Sequence, residues 1–394
     1  MLKKTLALLL AAFMLSALIS ACGSGKNAVL TVWCAEKDIP VVTAMVNEFL
    51  KTKPAVKDIV VEVCEDDKAR VRFEDDPGSA ADIICIPHDQ LGALVNDNRL
   101  LEITGAKYVE AIDLNTMPSV RAGQVDGKQY GFPSSFETHM LFYDKSIVSE
   151  TAARSLDGIL SCKAPADGYL FAMDFGNAYF SANWFFTYGC RLFGESGEDS
   201  SFCDFNSVDG FDAMSYLISN RGDFGNIGND AAVELFREHK LGAYIGGPWD
   251  AGAVTDALRG NYGCAALPDV AGRKMMSFAG FKLYCVNADT KNKTVAMDLA
   301  AWLTNSANQK ARFQSRNLIP VSSALANDTD IAVSTTANAL MAQGPHAIAM
   351  PSIPEMSNFW TPAGEFTLSC YNGDILLSDL QIRLDELVAV IKGS

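Results

Sequence analysis

Histidine is scarce in this 394-residue sequence, with four in all. His88, His139, His239 and His346 show no HExxH spacing, and no CxxC pair stands near them, so no zinc centre is expected. A lone histidine is more often a surface or satisfied core residue, and all four are read that way. The chain also lacks a GxSxG elbow, a GxxxxGK[ST] loop and a GxGxxG turn after a strand. Neither an enzyme nor a cofactor is indicated. Basic residues are the minority, 32 against 47 acidic, for a formal charge of −15. So acidic a surface repels phosphate backbones and argues against nucleic acid as a partner. With 20% charged and 49% hydrophobic residues, the chain is neither disordered nor fibrous.

The first segment is a targeting signal. Lys3 and Lys4 precede an apolar run from Leu6 to Ile19, broken only by Ser16 and too short for a comfortable membrane span. It ends Leu18-Ile19-Ser20-Ala21-Cys22-Gly23, which resembles the bacterial lipobox. Residues 1–21 then form a signal peptide, Cys22 takes lipid, and residues 22–27 form a lipidated tether. Without residues 1–21 the charge becomes −17. The protein is expected outside the cytoplasm, anchored to the cell membrane through Cys22. The nine remaining cysteines include several within apolar runs, so most are read as small buried hydrophobes, with room for one disulfide.

At about 100–200 residues per domain, the length suits two or three domains or two interleaved lobes. Val29–Trp33, Ile59–Val63 and Asp82–Ile86 read as strands, with a helix from Pro40 to Thr52 between the first two. That is a βαβ pattern with a parallel sheet. Further strands are expected at Tyr169–Met173, Gly242–Gly246 and Lys282–Val286. Helices are expected over Phe180–Tyr188, Phe211–Asn220, Lys293–Thr304 and Gln90–Asn96. The class is α/β with two lobes.

Aromatic residues and carboxylates recur at the ends of these elements: Trp33, Tyr179, Trp249 and Trp360, with Glu36, Lys37, Asp89 and Glu137. A sugar presents apolar C–H faces and a rim of hydroxyls, so rings cover the faces and ionised groups take the rim. Hydrogen bonds to charged groups contribute about 1.5–3 kcal/mol each, enough with stacking for micromolar binding.

Several ordered segments resemble the maltose/maltodextrin-binding proteins of ABC importers, extracellular solute-binding proteins of family 1. They are Asp82–Asp89 with Leu100–Thr104, Tyr130–Pro133 through Glu137 to Phe142–Lys145, Ala178–Phe180, Gly246–Trp249, Asn261–Gly263 with Leu267–Pro268, and Met350–Trp360. The resemblance implies a two-lobed, type II periplasmic-binding-protein-like fold with a hinge. One lobe would comprise residues 28–134 and 285–330, the other 135–284 and 331–394. It implies that Glu36, Lys37, Asp89 and Glu137 hydrogen-bond sugar hydroxyls while Tyr179, Trp249 and Trp360 stack on glucose units. The expected partners are a maltodextrin and the permease subunits of an importer, with the protein acting as a monomer.

Some positions depart from the family pattern. Ile86 stands in place of a stacking tryptophan, Gln90 and Gly364 in place of arginines, and Asn177 in place of a glutamate. Thr361 follows Trp360 where a tyrosine is common. Altered length preference, weaker affinity or a different oligosaccharide follows from that thinning. Phe136 and His139, beside Glu137, are read as local packing. The rival from another class is a glycoside hydrolase using Asp89 and Glu137 as its carboxyl pair.

Overall fold

The computed structural model describes residues 27–393. The expected signal peptide, Cys22 and the expected tether up to residue 26 lie outside them. Two sheets organise the chain. The first has seven strands: β1 (Ala28–Cys34), β2 (Val56–Val63), β3 (Ile83–Pro87), β4 (Gly131–Thr138), β10 (Ser277–Val286), β11 (Ile319–Pro320) and β12 (Ala347–Ala349). The second has five: β5 (Met140–Asp144), β6 (Tyr169–Met173), β7 (Phe224–Asn226), β8 (Leu241–Gly246) and β9 (Tyr262–Ala265).

The first sheet runs β11-β4-β10-β3-β1-β2, with β12 beside β10. Strands β1, β2 and β3 are parallel, as the βαβ pattern requires, whereas β10 lies antiparallel to β3 and β4. The second runs β9-β5-β8-β6-β7. One residue, His139, separates β4 from β5, so the chain passes from one sheet to the other almost without a loop.

Burial explains the elements. Helix α1 (Ile39–Thr52) starts with proline at its N-terminus, where the missing N–H is no loss. Val42, Met45, Val46 and Phe49 recur at helical spacing and are all buried. Phe49 meets Trp302, centroids 6.1 Å apart, on helix α3 (Lys293–Leu303), and the Trp302 indole donates to the Met45 carbonyl at 2.9 Å. Emptying such a site, as Phe49→Ala would, costs about 3–5 kcal/mol. The second core is built on aromatic rings. Helix α2 (Ala178–Tyr188) is buried on nearly every side and ends at Gly189, whose φ of 110° suits glycine alone. It packs against helix α4 (Trp360–Asn372). At Gly364 a Cβ would come within 2.3 Å of the Gly176 carbonyl, so the missing side chain is what lets α4 approach the loop before α2.

All nine described cysteines are free, seven of them buried. The disulfide allowed for in the sequence does not form, because the thiols serve as small packing groups inside strands and helices. Burial pushes Cys34, Cys190 and Cys203 up to about 12, so they stay protonated.

Candidate functional site

One cavity of about 1100 Å³ opens between elements of the two sheets. All seven residues singled out in the sequence line it: Glu36, Lys37, Asp89, Glu137, Tyr179, Trp249 and Trp360. All but Trp360 arrive there by one structural rule. Parallel strands end on the same side, and the turns leading into the following helices gather there.

On the first-sheet side, Glu36 and Lys37 form the turn after β1 and are solvent-exposed. The Glu36 amide is tied to Glu65 Oε1 at 3.0 Å. Asp89 sits in the turn after β3 and is half-buried. Burial pushes its carboxyl up to about 6, against the opposing pull of Lys282. Glu137, near the end of β4, is only 6% exposed, and burial likewise raises its pKa.

On the other side, Tyr179 opens helix α2, Trp249 lies in the turn after β8, and Trp360 is the first residue of α4. Tyr179 and Trp360 share a floor, Phe278, and Trp249 joins them through Tyr179. The Tyr179 ring is 6.2 Å from both Trp249 and Phe278, and the Trp360 ring is 5.8 Å from Phe278. All three outer rings are half-buried, so each keeps a face toward the cavity. The Trp249 indole folds across Gly247, where a Cβ would lie 2.2 Å from the ring. Asp250 fixes that turn by accepting the Gly247 N–H at 3.1 Å, and burial pushes its carboxyl up to about 7.

The departures now have local causes. Ile86 is fully buried in a core cluster with Trp33, Ile84 and Leu91, and it does not line the cavity. The Gln90 amide donates to the Asp67 carbonyl at 2.8 Å, tying down the neighbouring loop. Asn177 caps α2 by accepting the Tyr179 N–H at 3.0 Å, which orients the ring-bearing turn. Thr361 lines the cavity beside Trp360.

Other readings divide. His139 is buried, bonds Asn183 through Nδ1 at 3.1 Å and meets Tyr179 edge-on at 4.3 Å. It packs behind the platform, as expected. His88 is a satisfied core residue. Its Nδ1 accepts the Phe281 N–H at 3.2 Å and its Nε2 donates to the Met350 carbonyl at 3.0 Å. Trp33, grouped in the sequence with the site aromatics, is instead 1% exposed. Its indole donates to Glu62 at 3.0 Å beneath Arg72. As the inward residue of a central strand it had no free face to offer.

Charged residues the sequence reading passed over also line the cavity. Asp38 pairs with Arg316 at 2.6 Å, and Lys282 pairs with Asp66 at 3.2 Å. A lone lysine within the apolar run Phe278–Val286 was the available signal for Lys282. Nothing in the pattern marks Asp66. Among the described residues no group of histidine, cysteine and carboxylate side chains could hold a metal ion.

Comparison with known proteins places this geometry. Residues 44–342 match the family model described as bacterial extracellular solute-binding protein. The galactooligosaccharide-binding protein of Bacillus subtilis (strain 168) is 31% identical over 393 residues, covering 95% of this chain and 91% of that protein. Maltodextrin-binding protein MdxE of the same strain is 28% identical, covering 100% and 97%. Among solved structures, maltodextrin-binding protein MalE1 from L. casei BL23, without ligand, superposes with a TM-score of 0.82 at 24% identity. It covers 93% of this chain and 100% of that one. The two-lobed α/β fold expected from the sequence is therefore the fold observed, and these relatives are named as binding proteins, not enzymes.

Proposed function

This chain belongs to the bacterial extracellular solute-binding proteins, and from that premise we propose that it captures an oligosaccharide of the α-glucan, maltodextrin class in the cavity between its lobes. It delivers the sugar to the permease of an ABC importer, held near the membrane as a monomer by lipid on Cys22. The observation that carries this reading is the opposition across one cavity of Tyr179, Trp249 and Trp360 to Glu36, Lys37, Asp89 and Glu137. Rings without charge would suit any apolar solute, and carboxylates without rings would suit a cation. The combination fits a ligand with flat apolar faces and a hydroxyl rim.

The sugar docks first on the three-ring face. The carboxylates and Lys37 engage its hydroxyls as the lobes approach. Contacts made in only one state of the hinge are what shift the open–closed balance. No bond is broken. Isothermal titration with maltotriose and maltotetraose tests the assignment, with heat expected from both. Reducing-sugar release from maltodextrin would replace this reading with the glycoside hydrolase.

A galactooligosaccharide is the second reading, favoured by the 31%-identical relative named for that ligand. Heat from galactotetraose and none from maltotriose would select it. Cys22→Ala should release the protein from the cell surface, and its retention would remove the anchor from the scheme.

A further inference from the structure

Strand β10 carries one charged residue, Lys282, in an otherwise apolar run. Its ammonium lies 3.2 Å from Asp66 Oδ2 and 3.6 Å from Glu137 Oε1. The sheet register explains how. Lys282 stands opposite Ser135 on β4, and Gly280 stands opposite Glu137. A Cβ at position 280 would come within 2.9 Å of Glu137 Cγ. The bare backbone there gives the glutamate side chain room beside the strand that carries Lys282.

Three polar atoms around this point have no hydrogen-bond partner among the described residues: Asp66 Oδ1, Ser135 Oγ and the Tyr179 hydroxyl. Their residues all line the cavity, and Ser135 is only 2% exposed. Buried polar atoms left unpaired are costly, so several at one place are the mark of a surface shaped for a hydroxyl-bearing ligand. Lys282 has three donor hydrogens, and its two carboxylate partners leave one free.

We propose that Lys282, Asp66 and Ser135 form a polar subsite on the first-sheet side of the cavity, which takes neighbouring hydroxyls of one sugar ring. Lys282 also acts there as the positioning residue that holds the Asp66 and Glu137 side chains at ion-pair distance. The subsite rests on the oligosaccharide reading above and adds residues to it. The titratable groups facing Lys282, Asp66 and Glu137 are Asp38, Cys85, His88, Asp89 and Tyr179. Burial drives the Asp66 and Glu137 carboxyls upward, and the ammonium is the main force opposing it. Burial also works against the charge on Lys282, but Glu137 and Asp66 outweigh it and hold the lysine protonated.

The test is titration calorimetry with maltotriose and with galactotetraose from about pH 5 to 8. It uses the mature protein, Lys282→Met, Lys282→Arg and the double variant Lys282→Met/Asp66→Asn. Lys282→Met should bind about tenfold or more weakly at neutral pH, and its binding should fail at a higher pH than that of the unaltered protein. Lys282→Arg should restore most of both. Should Lys282→Met not fold, the double variant removes the cation together with one of its partners. It should still bind weakly with the acid limb displaced. Folded variants with unchanged affinity and unchanged pH profile would overturn the subsite alone. No heat from the unaltered protein with either sugar would overturn the oligosaccharide reading and the subsite with it.

Discussion

The rings of Tyr179 and Phe278 lie nearly parallel, 11° between planes with centroids 6.2 Å apart, and Phe278 is fully buried. Phe278 comes from β10 of the first sheet, Tyr179 from the helix that covers the second. The residue that supports the platform and the residues that form it thus belong to different parts of the chain. Phe278→Ala should lower stability by about 3–5 kcal/mol and weaken sugar binding as well, because Tyr179 and Trp360 lose a common floor. Thermal melting and calorimetry check it. Lost stability with full affinity would mean that the platform is held by other contacts.

Trp249→Ala and Trp360→Ala should behave differently. Both rings are half-buried and keep a face to the cavity. Each substitution should reduce sugar affinity by about 1–3 kcal/mol, by analogy with other stacking sites. Their effect on melting temperature should be smaller than that of Phe278→Ala. A large drop in melting temperature without loss of affinity would reassign either ring to the core.

How much of this was legible in sequence depends on the kind of signal. Helix α1 and strands β1, β3, β6 and β8 carry strong apolar patterns, and their observed limits differ from the expected ones by few residues. The seven cavity residues were reachable because turns after strands could be placed and the resemblance supplied an order. Strand β10 was seen only from Lys282 onward, whereas it begins at Ser277. Its first residues contain Gly280, which lowers strand propensity, and no polar alternation marks a strand buried on both faces. The triad of Asp66, Glu137 and Lys282 was hidden for another reason. The three lie on separate elements: a sheet register brings Glu137 beside the strand of Lys282, and the turn after β2 brings Asp66.

The pH dependence of stability can be resolved at Asp250. Burial raises its carboxyl to about 7 in the folded protein, above its ordinary range near 4. The folded state therefore binds a proton that the unfolded state has released, and this group's unfavourable contribution is present at high pH and fades as pH falls. His88 and His139 act with the opposite sign. Burial lowers them to about 4 and about 3, so acidification favours the unfolded chain through them. Comparing Asp250→Asn with the unaltered protein cancels the histidine contribution. The variant should melt higher near pH 8, with the difference shrinking toward pH 5. A difference independent of pH would place the effect in the Gly247 turn instead of the charge.

Sugar binding should respond to acid through Asp89. Burial pushes its carboxyl up to about 6, and the ionised form accepts the hydroxyls, so affinity should fall as pH drops below that value. Asp89→Asn should bind more weakly at neutral pH, with a flatter profile from about pH 7 to 5. A variant that retains the full acid limb would assign the limb to Glu137 and its neighbours.

Gly364 provides the last check, because it joins a departure in sequence to the placement of the platform. The family pattern has an arginine there, yet any side chain would run into the Gly176 carbonyl, 2.3 Å from where a Cβ would sit. Gly176 immediately precedes Asn177, whose side chain caps the helix that Tyr179 opens. Gly364→Ala should therefore push α4 away from that loop, lowering stability by about 1–3 kcal/mol as overpacked sites do. The displacement would reach both Trp360, on the first turn of α4, and Tyr179, across the contact. Affinity should fall together with melting temperature. Gly364→Arg, although it restores the family residue, should be no better tolerated than alanine, since the clash begins at Cβ. An arginine variant with improved affinity and unchanged melting would show that the loop can move aside, and that the close approach is not what holds the two rings in place.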